Sequence, residues 1–280
     1  MLLICSIPGL AYNISTETDK ITIDDDVPIW EIGDSWRYNI GKLKLQLNNS
    51  GQIISLDLSL NDLLIRVDGI TTTSYKMSVS GNIGGIFDFD DGGTSLGGIL
   101  FITKISGSLQ IRQADLAAEQ ANLVIKSIAI LLEHPLILPI PIPFPLTITI
   151  NIIQDTPRSL IDFPLYNGKE GIISETSLST SLKIESIVLR ILHSFISDVP
   201  EEIYFEQIVD LPMLMYSATE EDITVSGKNY TAYNIDFFQG LIGSIYYAPS
   251  VGNYLKANTE IKTNDIEIII KGELTETTYG

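Results

Sequence analysis

Lys42-Leu-Lys-Leu-Gln-Leu-Asn48-Asn-Ser-Gly51-Gln-Ile-Ile54-Ser-Leu-Asp-Leu-Ser-Leu60 decides the fold class. Leu43, Leu45 and Leu47 alternate with Lys42, Lys44 and Gln46, while Ile54, Leu56, Leu58 and Leu60 alternate with Ser55, Asp57 and Ser59. A period of two sends the apolar set to one face of a pleated strand and the polar set to the other. Residues 48–51 supply turn formers between the two runs, so the stretch predicts an antiparallel hairpin. Upstream, Trp30, Ile32, Asp34, Trp36, Tyr38 and Ile40 alternate with Glu31, Gly33, Ser35, Arg37 and Asn39, which predicts a half-buried strand from Trp30 onward. Downstream the same period recurs at Tyr75, Met77 and Val79, at Ile105, Leu109 and Ile111, at Leu178, Leu182 and Ile184, at Tyr233, Ile235 and Phe237, and at Ile266, Ile268 and Ile270. The expectation is a mainly β protein. Two short helices are expected on the sheet: 114–121, where Asp115 precedes good helix formers, and 198–207, where Asp198 precedes Pro200 and two acids.

The chain has 280 residues, 35 acidic side chains against 17 basic ones, a formal charge of −18 and 45% apolar residues with a mean hydropathy of +0.23. Such a chain forms a core and is not an acidic disordered tail. The charge opposes binding to nucleic-acid phosphates and to anionic lipid headgroups. No uninterrupted apolar run of about 18 residues predicts an ordinary spanning helix.

Residues 1–11 are apolar, with small residues at Gly9 and Ala11 ahead of Tyr12, and read as a secretion-signal remnant that lacks a basic start. The competing reading is a buried first strand. With a cut before Tyr12, Cys5 is removed and the mature chain has no cysteine, which excludes disulfides and thiol catalysis. Sequons at Asn13, Asn48 and Asn229 fit a secreted or cell-surface location and are candidate N-glycosylation sites.

Two segments align in order and spacing. Residues 69–75 match 227–233 from Gly to Tyr, and residues 81–87 match 240–246, each with a Gly-x-x-Gly opening. This predicts an internal duplication, with a linker at 12–27, a first β repeat at 28–134 and a second at 146–280. Between them lies Pro135-Leu-Ile-Leu-Pro-Ile-Pro-Ile-Pro-Phe-Pro145, which cannot be helical. Prolines at alternate positions 139, 141, 143 and 145 remove donors from one edge of an extended chain only. The segment is either a stiff connector or an edge strand with one blocked side.

Catalytic signatures are few. His134 and His193 are the only histidines, each within an apolar stretch, and no nucleophile elbow, P-loop, dinucleotide fingerprint or zinc-protease motif occurs. Nothing singles out a carboxylate pair. Asp88, Asp90 and Asp91, ahead of Gly92-Gly93, offer a candidate calcium loop, but Gly92 and Ile99 stand at the fifth and twelfth positions, and an Asp-Gly hairpin turn is the preferred reading. No metal and no cofactor are therefore expected. Trp30, Trp36 and Tyr38 form an aromatic row that binds an apolar ligand if exposed and plugs the core if buried, with core preferred; Tyr246 and Tyr247 are the other ligand-binding candidates.

Three segments carry a family resemblance: Asp162-Phe-Pro-Leu-Tyr-Asn-Gly-Lys169, Tyr230-Thr-Ala-Tyr-Asn-Ile235 and Ile245-Tyr-Tyr-Ala-Pro-Ser-Val-Gly-Asn-Tyr-Leu-Lys256. They resemble exported envelope β-proteins of the LolA/LppX-like half-barrel type, where a Phe-Pro-Leu and Gly-Lys lead-in precedes a strand and a Tyr-x-Pro-x-x-Gly turn joins two late strands. Trp30-Glu-Ile-Gly-Asp-Ser-Trp-Arg-Tyr38 is similar to the opening of uncharacterised secreted archaeal and bacterial proteins. Glu170-Gly171 stands where those families place an aromatic. Two-domain lipid-transfer proteins of the bactericidal/permeability-increasing type also join pseudo-repeats through a proline-bearing centre, but they need long helices that this sequence lacks. The resemblance implies two related, curved antiparallel sheets, half-barrel-like, with a concave face that holds a lipid or other apolar small molecule. The expectation is a non-catalytic extracytoplasmic binding protein. The alternative is a cell-surface structural or assembly subunit that self-associates or binds a surface partner through its strands.

Overall fold

The computed structural model describes residues 27–49, 51–93, 95–133, 143–195 and 200–279. The strands are β1 (Ser35–Asn49), β2 (Gln52–Ile70), β3 (Ser74–Asp90), β4 (Ser95–Arg112), β5 (Ala118–Glu133), β6 (Pro143–Gln154), β7 (Lys169–Ile173) and β8 (Thr176–Glu185). After the helix α1 (Ile187–Phe195) come β9 (Glu202–Leu211), β10 (Leu214–Val225), β11 (Lys228–Gln239), β12 (Leu241–Ala248), β13 (Asn253–Lys262) and β14 (Ile266–Thr277). All fourteen join one antiparallel sheet in the order β7-β10-β11-β12-β13-β14-β1-β2-β3-β4-β5-β6-β8-β9. The mainly β, curved-sheet expectation holds.

The leucine hairpin forms in the register its alternation demands: Leu47 faces Ile54, Leu45 faces Leu56 and Leu43 faces Leu58. The alternating sets downstream, from Tyr75 to Ile270, likewise turn inward and are buried. One face of the sheet is thus mostly apolar, and the sheet curls to enclose it. Side chains of β1 and β14 meet those of β6 and β8 around a shared interior. Where the curl brings β9 over the β1–β2 hairpin, Gln207 Nε2 donates to the Asn48 carbonyl at 3.2 Å. Bulges allow this curvature. At Gly243, with φ 110°, a Cβ would collide with the Asn258 carbonyl of the paired strand, so only glycine permits that approach.

Several expectations are corrected. Residues 30–34 are not strand: the Glu31 amide donates to Asp34 Oδ2 at 2.7 Å and Asp34 N–H to the Glu31 carbonyl at 3.1 Å, making a turn that exposes Ile32. Neither expected helix forms among the described residues. Ala118 onward is β5, and residues 202–211 are β9, because Ile203, Phe205, Val209 and Leu211 face the core against β8. The helix that does form, α1, follows Ser186, whose hydroxyl accepts from the Val188 amide at 3.2 Å as an N-cap.

The duplication is not confirmed: residues 81–87 lie inside β3, whereas Gly240 sits in the turn between β11 and β12. Residues 1–26 and 134–142, which carry the signal remnant, Cys5, the Asn13 sequon, His134 and most of the proline run, lie outside the described residues. The run's end is visible. Phe144 pairs with Ala129 of β5, but β8 pairs with β6 only from Thr147 onward. Pro143 and Pro145 present their donorless side to the β8 edge, and pairing stops there. Ser186 instead donates its hydroxyl to the Pro145 carbonyl at 2.9 Å, and the chain turns into α1.

Candidate functional site: an apolar cavity inside the curled sheet

The interior is unevenly filled. On the β7–β10–β11–β12 side, the loop 155–168 inserts Leu160, Ile161 and Leu165 as buried plugs, and Phe163 meets Tyr247 edge-on at 5.5 Å. Lys169, buried at 7% exposure, holds this loop: its ammonium pairs with the Asp162 carboxylate at 3.0 Å and donates to the Asp162 and Pro164 carbonyls. β7 forms without an aromatic after Lys169 because Tyr216 of β10 lays its ring against Gly171. Burial, and then the Asp162 charge, pushes the Tyr216 phenol well above its usual range.

The β1–β6 side is different. Leu43, Leu45, Leu123 and Ile152 occupy inward positions of their strands yet are only half-buried. They line an apolar cavity of about 720 Å³, open solvent at its mouth included, whose other walls include Leu56, Leu58, Leu60, Val79, Ile105 and Ile150. Through Leu45, Ile152 and Ile268 it shares a wall with a second cavity of about 420 Å³, between β14, β5, β6 and β8. Through Leu109 it shares a wall with a third, of about 540 Å³, lined by Trp30, Tyr38, Ile65, Met77, Asn253, Tyr254 and Ile270.

The aromatic candidates separate by role. Trp36 is fully buried and does not line these cavities; its indole N–H donates to the Val251 carbonyl at 2.9 Å. Trp30, 3% exposed, packs tilted against Trp36 with ring centres 4.9 Å apart, donates to the Gly252 carbonyl, and lines the third cavity with Tyr38. Tyr38 donates its hydroxyl to the Tyr254 carbonyl at 3.1 Å. Both tryptophans therefore anchor on the Pro249–Val251 turn and its left-handed Gly252, the Tyr-x-Pro-x-x-Gly element that joins β12 to β13. Tyr246 and Tyr247 line none of the three cavities. Tyr247 packs among Phe163 and Tyr254, and Tyr246 is half-buried, its phenol raised by burial and then by Glu221.

The acidic cluster lies at the β3–β4 turn. Asp90 and Asp91 accept from the amides of Gly92 and Gly93, at 2.7 and 3.0 Å, while Asp88 is exposed on β3. Among the described residues no three His, Cys, Asp or Glu side chains group closely enough to hold a metal ion. His193, in the last turn of α1, lies 3.7 Å from the Glu201 carboxylate. Asn48 is half-buried at the end of β1, and exposed Asn229 accepts from the Thr224 hydroxyl at 2.7 Å.

Sequence reasoning missed Leu45, Ile152 and Ile268 as cavity residues, since alternation marks the inward face without saying whether the interior is filled. No family model, curated protein or solved structure matches the chain.

Proposed function

We propose that this protein is a non-catalytic, extracytoplasmic binding protein that shelters a lipid or other apolar ligand against the concave face of its sheet. One observation carries the reading. Four aliphatic side chains on the inward face, Leu43, Leu45, Leu123 and Ile152, remain half-buried around a cavity of about 720 Å³, whereas folded interiors ordinarily close-pack such groups. Covering them with a ligand supplies the apolar contact that the protein does not make with itself.

The alternative, a structural subunit joined through strands, would use β7 and β9, the edge strands of the described sheet. Both are poor templates: β7 is five residues long, and β9 carries Glu202, Glu206 and Asp210 on its exposed face. Native mass spectrometry after gentle extraction tests the two readings together. A mass increment that organic solvent removes, on a monomer, supports the carrier. A ligand-free protein that takes up no lipid ends it, and a ligand-free ordered oligomer establishes the subunit in its place.

A further inference from the structure

Four buried side-chain polar atoms lack a hydrogen-bond partner among the described residues, and one of them, Gln154 Oε1, belongs to a residue that lines the second cavity described above. Gln154 ends the inward row Phe144, Leu146, Ile148, Ile150, Ile152 on β6 and is 5% exposed. Its amide orientation follows from its neighbour. Thr176 Oγ1 donates its one proton to the Thr156 carbonyl at 3.2 Å, so toward Gln154 it can only accept, at 3.4 Å from Nε2. The nitrogen is thereby turned to Thr176, and the carbonyl oxygen stays without a donor in a side chain that lines the cavity. Thr180, 3% exposed and opposite Ile152 in the β6–β8 register, lines the same cavity.

A buried carbonyl without a donor is costly, and a ligand that brings one removes the cost. This cavity's lining contains no Lys or Arg, and its single charged residue, Glu119, already accepts from Ser74 and Gln110. An ionised carboxylate head would meet a carbonyl oxygen and no cation there. The walls Leu45, Ile152 and Ile268 lead from this polar end straight into the larger apolar cavity.

Resting on the carrier reading above, we propose that Gln154, with Thr180, is the headgroup subsite, and that the ligand is an uncharged amphiphile: a long apolar chain ending in a hydroxyl or amide N–H donor. The head binds at Gln154 and the chain extends toward Leu43 and Leu123.

The test uses delipidated full-length protein loaded with diphenylhexatriene and displaced at pH 8 by 1-dodecanol, dodecanoate or dodecane. Dodecanol is expected to displace the probe at roughly tenfold lower concentration than dodecanoate, the size of one buried hydrogen bond. Gln154→Met should raise the dodecanol concentration needed roughly tenfold, leave dodecanoate and dodecane unchanged, and raise the melting temperature of the ligand-free protein by removing the unpaired carbonyl. Thr180→Val serves as the second variant and should narrow the preference if Gln154→Met does not fold. Equal displacement by all three, or a dodecanol affinity unchanged in both variants, overturns the subsite while the carrier reading stands. Failure of every chain to bind overturns both.

Discussion

Leu45→Phe tests whether the interior really has room. Leu45 is an inward residue of β1, half-buried, and shared by the walls of the 420 and 720 Å³ cavities. Phenylalanine adds roughly three carbons, and at about 0.8 kcal/mol per buried CH₂ the gain is bounded near 2 kcal/mol if the ring enters free space. In a close-packed interior the same change forces strained rotamers and costs about 1–3 kcal/mol. The two cases therefore differ in sign. Leu214→Phe is the internal control: Leu214 is fully buried on the loop-plugged side, where its side chain comes within 2.7 Å of a Cβ built on Gly240.

Urea denaturation of delipidated protein, read at constant m, should show Leu45→Phe neutral to stabilised by about 1–2 kcal/mol and Leu214→Phe destabilised by about 1–3 kcal/mol. In a chain of this size each 1 kcal/mol corresponds to a shift in melting temperature of about 2–4 °C. Leu45→Phe should also weaken uptake of the apolar probe, because it occupies ligand space. Loss of stability in Leu45→Phe matching that in Leu214→Phe, with probe binding intact, would refute the reasoning: the interior would be filled and the ligand, if any, elsewhere.

Three further outcomes follow from individual contacts. Trp30 borders the third cavity and Trp36 does not, so lipid addition should shift the indole emission of Trp36→Phe protein and leave that of Trp30→Phe protein unchanged; the reverse pattern would place the ligand away from β13. Lys169→Met removes an ion pair and the donor shared by two carbonyls, and should cost about 2–4 kcal/mol in urea unfolding; a loss under about 0.5 kcal/mol would mean the loop 155–168 is held by its apolar plugs alone. Lys44 donates to Glu267 at 2.9 Å and holds its carboxyl below the usual value of 4.5. A depressed carboxylate stabilises the fold above its unfolded value and loses that contribution as pH falls through the folded one. The stability advantage of wild type over Glu267→Gln should accordingly be present at pH 7 and vanish in acid, and a pH-independent difference would show that the pair is not its source.

The hairpin 42–60 was legible to the residue because every inward position is Leu or Ile and a one-residue slip would expose the whole set. At 30–34 the same rule misleads. Trp30 and Trp36 do share a buried site, but the chain joins them through a turn at Gly33-Asp34, where the Asp34 carboxylate competes for the Glu31 amide. Such local side-chain competition is what makes Asp a turn former. Residues 202–211 carry both a helix-start signal and a two-residue period, and the unpaired edge of β8 decides between them. From Gln120 onward a sheet neighbour on each side outweighs good helix propensity.

The cavity itself lay beyond sequence reading for a geometric reason. Period two assigns a face, and most residues lining the large cavity fall in such rows; Leu63 joins them only because a bulge near Asp62 shifts the phase of β2. Whether an inward leucine meets another side chain or open space depends on how tightly the sheet curls and on which loop enters it. Here one long loop, clasped by Lys169, fills one side only, and no local pattern announces that asymmetry. Gln154 is the exception, because a polar residue continuing the row Phe144, Leu146, Ile148, Ile150, Ile152 violates the alternation at an inward position. A buried polar group retained against its desolvation cost must answer to a partner. No described group supplies a donor for its carbonyl, and it is on this violation that the proposed headgroup subsite rests.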